Sequence, residues 1–209
     1  AGPDGDEFGL FAWGLRRPFG LSVHADGRIF CTDTGMEPRG SRSVSDGRGY
    51  LWHVIENGWH GWPDYAGGEP VTQPLLKEHP PLAGKPVATL PKGTGIAKFD
   101  FSRSPLFGSD DIAFAALMGE PGESDAGSKV VSIDIETGEI TDFITNRHPG
   151  PASEYRSGGL ERPIAVRFDR TGEVMYVLDL GIIDPSSRRP TTLANSGVLW
   201  RVVPVIYAT

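Results

Sequence analysis

An all-β chain of repeated antiparallel sheets, the blades of a β-propeller, is the fold this sequence predicts, on three observations. The first is a repeat: residues 14–35 read GLRRPFGLSVHADGRIFCTDTG and residues 159–181 read GLERPIAVRFDRTGEVMYVLDLG. Gly14, Leu15, Arg17, Pro18, Gly27, Phe30, Asp33 and Gly35 recur as Gly159, Leu160, Arg162, Pro163, Gly172, Tyr176, Asp179 and Gly181. Further on, Gly49, Leu51, Trp52 and Val54 recur as Gly197, Leu199, Trp200 and Val202. Repetition of strand and turn units at this scale points to blades. The second observation is composition: 28 Gly and 18 Pro among 209 residues suit many short strands and turns better than helices. The third is that long apolar stretches at helical period are absent.

Each element has a local reason. After each Arg-Pro pair a short run of mainly apolar and small residues leads to Asp26-Gly27 or Thr171-Gly172, and a second apolar run ends in Asp-x-Gly, which reads as a hairpin. Pro18 and Pro163 fix the backbone just before the first strand, where a missing N–H matters little. Gly27 and Gly172 supply the positive φ of a tight turn. Tyr50–Val54 and Val198–Val202 then form a third strand. A diverged middle unit follows the same plan, with Thr94–Phe101 as first strand, Ile112–Leu117 as second and Lys129–Ile135 as third. A turn over Glu136–Glu139 leads into a fourth, Ile140–Ile144. The expectation is one partial propeller domain over residues 1–209, with units at about 14–57, 94–144 and 159–203. Residues 66–93 and 146–158 read as surface insertions, which often carry specificity.

Charge and composition exclude some functions. A net charge of −7 argues against nucleic acid or an anionic membrane as partner, because phosphate binding needs a basic surface. No run approaches the roughly 18 apolar residues of a membrane span. The N-terminal AGPDGDEFG lacks the basic and apolar regions of a signal peptide, so a soluble chain, mature or internal, is expected. Arginine is uneven: Arg16, Arg17, Arg28, Arg39, Arg42 and Arg48 crowd the first fifty residues. They form either a local anion site or solvated side chains paired with Glu37 and Asp46. Cys31 reads as a small buried hydrophobe, and the five histidines lack metal-binding spacing.

The runs GLRRPFGLSVHADGRIFCTDTG, RGSRSVSDGRGYLWHV, GWHGWPDYAGG and GGLERPIAVRFDRTGEVMYVLDLG together resemble the C-terminal part of the glucose/sorbosone dehydrogenase family. That resemblance implies a six-bladed propeller of about three four-stranded antiparallel blades in this chain, using pyrroloquinoline quinone (PQQ) and Ca²⁺ to oxidise a sugar or aldose. It implies Arg16, Arg17 and Arg162 as cofactor contacts, and backbone carbonyls of Gly35 and Met36 as calcium ligands. The family usually has Asn where Arg17 stands and often proline where Met36 stands, and its cofactor lysine has no match in Ala115–Gly119. Its catalytic histidine belongs to an earlier blade, so no catalytic residue is assigned. It further implies a periplasmic or extracellular protein, an electron-accepting cytochrome as partner, and missing blades supplied by upstream sequence or another chain. A cofactor of this kind carries carboxylates and carbonyl oxygens, which guanidinium forks and a hard cation suit.

Alternatives stand beside these readings. Arg16 and Arg162 can instead brace the blade entry by bonding carbonyls of a neighbouring blade. Gly58–Asp64 is either a sugar-stacking patch or packing between blades. Asp33 and Asp179 read as Asx-type turns before metal ligands. At the level of the whole chain, a non-catalytic scaffold subunit competes with the dehydrogenase, and a calcium-dependent propeller lactonase is a third reading. Fold alone does not choose between them.

Overall fold

A computed structural model describes residues 9–34, 47–71, 78–120, 126–184 and 191–205. Three antiparallel sheets dominate. The first has order β1-β2-β3-β6, with β1 (Pro18–Val23), β2 (Ile29–Thr34), β3 (Gly49–Val54) and β6 (Ala88–Thr89); a small hairpin of β4 (Tyr65–Ala66) and β5 (Glu69–Pro70) precedes β6. The second is β7 (Ile96–Phe101), β8 (Ile112–Leu117), β9 (Lys129–Asp134) and β10 (Ile140–Ile144), paired in sequence. The third pairs β11 (Pro163–Phe168), β12 (Met175–Asp179) and β15 (Val198–Val202), with a hairpin of β13 (Ile183–Asp184) and β14 (Thr191–Thr192) before β15. Among the described residues helix is confined to short 3-10 turns, including Pro105–Phe107 and Ala152–Tyr155. The fold is all-β, as the repeats predict, and forms part of a propeller.

One detail differs from the reading of the residues. The fourth strand of the first sheet, β6, lies inside the segment read as an insertion. It is two residues long and has no periodicity to read; the N–H of Val87 on Leu51 and of Leu90 on Gly49, both 2.8 Å, extend its pairing with β3. Among the described residues the third sheet has the three strands read from the repeat, where the family resemblance implies about four.

Strand alternation divides the core. On β8, Ala113, Ala115 and Leu117 face the first sheet, where they join Phe99, Phe101, Val131 and Ile133 against Phe30 and Leu51. Their neighbours Phe114 and Ala116 face the other way and pack, with Val130, on Val166, Phe168, Met175 and Val177 of the third sheet. The second sheet is thus a middle layer whose successive side chains enter opposite cores. Each large apolar side chain buried there contributes roughly 1.5–3 kcal/mol. Surface ion pairs contribute about 0–1 kcal/mol, so packing holds the sheets together.

The innermost strands β1, β7 and β11 lie side by side, and two polar devices join them. Gly20 permits the first approach: a Cβ there would stand 2.7 Å from Thr32 Oγ1 and 3.0 Å from the Ala97 carbonyl. Thr32 Oγ1 accepts the Gly20 N–H and donates to that carbonyl, both at 2.8 Å. Asp100, buried in β7, accepts the Ser22 hydroxyl of the first sheet (3.2 Å) and the Phe168 N–H of the third (3.1 Å).

Candidate functional site

The segments that feed β1 and β11 carry the sequence-predicted arginines, and pairing of Pro18 with Asp33 and of Pro163 with Asp179 puts them at the same end of their sheets. Local structure explains their placement. Asp33 lies next to the end of β2 with its carboxylate turned to the entering loop, accepting the N–H of Arg17 at 2.6 Å and of Arg16 at 3.1 Å. Asp179 repeats this, accepting the N–H of Glu161 and Arg162 at 2.8 Å, and also that of Gly181 at 2.9 Å. The Asx-turn reading therefore describes Asp179 in part, and both aspartates clamp a loop across the sheet. Burial pushes the Asp33 carboxyl up; the N–H groups of Arg16 and Arg17 and the Arg16 charge pull against it. Next to it, burial and the Asp33 charge push the Cys31 thiol up to about 12, so this cysteine stays a neutral core group.

The arginines then diverge. Arg16 is half-buried, its guanidinium 4.9 Å above the centre of the Trp62 ring, a geometry worth about 0.5–2 kcal/mol. Arg17 is exposed. Arg162 donates from Nη1 to the carbonyls of Met118 (3.1 Å) and Gly119 (3.4 Å) in the second sheet. Gly35 and Met36 lie outside the described residues, as do Glu37, Arg39, Arg42 and Asp46. Arg28 faces away from this end, pairing with Asp26 at 2.6 Å and Glu136 at 2.8 Å.

Trp62 belongs to Gly58–Asp64, which the structure wedges against the entering chain. Trp13 N–H donates to Gly58, His60 N–H to Trp13 and Trp62 N–H to Gly14. Gly14 has φ +82°, and a Cβ there would strike the Trp59 ring. Trp59 is buried and donates from Nε1 to the Trp62 carbonyl at 3.2 Å. His60, also buried, meets Trp52 edge-on at 5.1 Å, and among the described residues neither ring nitrogen has a hydrogen-bond partner. Desolvation, with the nearby His53, holds its pKa below the usual histidine value. The motif packs, and through Trp62 it also sets the place of Arg16. Sequence reasoning missed the Arg16–Trp62 stack, although both residues stood in motifs it had singled out; no sequence spacing joins them.

What this end of the sheets offers is guanidinium groups on loops held by buried carboxylates, beside an indole face. That set suits a flat, anionic ligand. Among the described residues no three His, Cys, Asp or Glu side chains group as a metal site, and no helix is long and apolar enough to cross a membrane.

The same fold recurs in solved structures. The chain is similar to the PQQ-bound aldose sugar dehydrogenase of Streptomyces coelicolor, at TM-score 0.56 and 14% identity over 93% of this chain and 46% of that one. It is similar to the soluble aldose sugar dehydrogenase of Escherichia coli in its apo form, at TM-score 0.55 and 18% identity, covering 94% and 47%. A calcium structure of the Trichoderma reesei carbohydrate-active enzyme of family AA12 matches at TM-score 0.52 and 14% identity, covering 80% and 50%. The likeness is one of fold, and the chain spans about half the length of the solved structures it matches. No protein-family model and no curated protein matches it.

Proposed function

We propose that this chain forms part of a PQQ- and Ca²⁺-dependent dehydrogenase that oxidises a sugar or aldose, with the remaining blades supplied by upstream sequence or another chain. The observation that carries the reading is the pair of Arg-Pro loops at one end of a half-propeller whose fold matches sugar dehydrogenases. Arg16, Arg17 and Arg162 would hold the carboxylates of the cofactor, and the carbonyls of Gly35 and Met36 would hold its calcium. When bound, the quinone and its calcium would supply the hydride acceptor for oxidation of the sugar carbon. The chain's own residues bind and orient: Trp62 holds the Arg16 guanidinium in place, and Asp33 fixes the backbone on either side of it. The base that takes the sugar's hydroxyl proton lies in the completing blades. A periplasmic or extracellular location and an electron-accepting cytochrome belong to the same reading.

The test is calorimetric titration of the complete protein with PQQ in the presence of Ca²⁺, comparing wild type with Arg16→Ala. Loss of one partner of a partly buried charged contact should weaken binding by roughly 2–5 kcal/mol. A wild type that binds no quinone at high micromolar concentration overturns the dehydrogenase reading. A second reading, a non-catalytic scaffold subunit, is favoured by one observation: the Arg162 guanidinium donates to two carbonyls of the neighbouring sheet, as a brace would. Arg162→Ala separates the two, because a pure brace lowers Tm and leaves quinone affinity unchanged.

A further inference from the structure

We propose that both outer faces of this three-sheet arc dock a blade of the second sheet's type, one that presents a carboxylate on its innermost strand where Asp100 stands. The inference rests on the reading that further blades complete the ring and is independent of the quinone. Ser22, Asp100 and Arg167 are equivalent, because they pair with Phe30, Phe114 and Tyr176, each three residues before the residue that pairs at the start of the innermost strand. Asp100 serves both its neighbours, taking the Ser22 hydroxyl from the preceding sheet and the Phe168 N–H from the following one.

At the first face, Val23 pairs with Ile29 as Phe168 pairs with Met175. The residue just after each strand, His24 or Asp169, bonds across its hairpin. By ladder alternation the N–H of Val23 points off the sheet edge, as that of Phe168 does. Phe168 finds Asp100 there, and a preceding blade would offer its own carboxylate to Val23. Leu21 and Val23, 62% and 56% exposed, repeat the buried Val166 and Phe168. Leu21 borders a groove of about 410 Å³ floored by Phe11, Leu15, Ile29 and Val54.

At the last face the charge is explicit. Arg167 is 56% exposed and touches Asp100 of the preceding sheet at 3.6 Å. Ser22, its equivalent, reaches forward to a carboxylate in the next sheet, and a following blade with an acid at that position gives Arg167 the same contact on its open side. Beside it Tyr176 and Leu199 repeat Phe30 and Leu51, both fully buried against the second sheet, yet Leu199 is 64% exposed. A second copy of this chain fits poorly, because its first sheet presents Ser22 where Arg167 needs the carboxylate.

The experiment joins residues 1–202, ending at Val202, the equivalent of Val54, to a second copy of residues 55–144, which reproduces the natural step from first to second sheet. Maleimide labelling of a cysteine placed by Leu199→Cys should slow about tenfold or more as that position takes on the burial of Leu51, and Tm should rise. Asp100→Asn made only in the added copy should reverse the rise, and combining it with Arg167→Leu should give less than the sum of the two separate effects. Labelling of Leu199→Cys unchanged on extension, or a rise in Tm indifferent to the added carboxylate, overturns the proposal. The unextended chain supplies an independent measurement by sedimentation. A discrete dimer that Leu199→Arg dissolves makes a second copy the occupant and also overturns it; the absence of such a dimer supports it.

Discussion

Asp33 collects two consecutive backbone N–H groups from the loop that positions Arg16 and Arg17, and burial makes that loop depend on it. Asp33→Ala leaves both donors without their acceptor, so urea titration should show a loss of roughly 1–3 kcal/mol. Asp33→Asn keeps one acceptor oxygen and should lose less; an alanine variant as stable as wild type would show that the loop is held by something else. Titration adds a sign. The folded pKa of Asp33 is raised, so its contribution is greatest below the unfolded value and is lost as pH rises through the folded one. His60 is lowered, so on acidification the unfolded chain binds a proton first, and stability falls as pH drops below about 6.5. Tm should therefore decrease from about pH 7.5 to about pH 5.5, and His60→Phe, which has no proton to bind, should flatten part of that slope. Identical slopes for the two proteins would show that His60 does not set it.

At the scale of elements, three innermost strands meet at one carboxylate. Asp100→Ala removes the acceptor of the Ser22 hydroxyl and the Phe168 N–H together, and should destabilise by roughly 2–4 kcal/mol in chemical denaturation. A loss no larger than that of an exposed aspartate such as Asp142 would refute a joining role. This carboxylate was not legible in the sequence, where TGIAKFDF reads only as a strand, because its partners lie in two other sheets. The strands themselves were legible: hairpin turns at Gly27 and Gly172 and the repeated Leu-Trp pair fixed β1–β3 and β11, β12 and β15 nearly to the residue. β6 was hidden because two residues carry no period. The entry loops bearing Arg16 and Arg162 could be read from the Arg-Pro motif, but the Met118 and Gly119 carbonyls and the Trp62 ring come from distant segments that only the fold brings near.

Across the whole molecule, equivalent repeat positions meet different surroundings because the arc has two outer faces. Leu51 and Leu199 pair with Thr32 and Leu178 at the same step of the repeat. Leu51 is fully buried between first and second sheets, whereas Leu199 is 64% exposed. Substitution by lysine should separate them in the 209-residue chain. Leu51→Lys buries an ammonium group among Phe99, Ala115 and Val131 with no counter-charge in that cluster, and should cost about 4 kcal/mol or more, enough to unfold a domain of ordinary stability. Leu199→Lys leaves its charge in water, should change stability by no more than about 0.5 kcal/mol, and should reduce aggregation by breaking an exposed apolar patch. Denaturation midpoints and light scattering of the two variants check both halves. Equal destabilisation at the two positions would mean that Leu199 is covered in solution by another part of the protein, and the arc would then have no open face at that end.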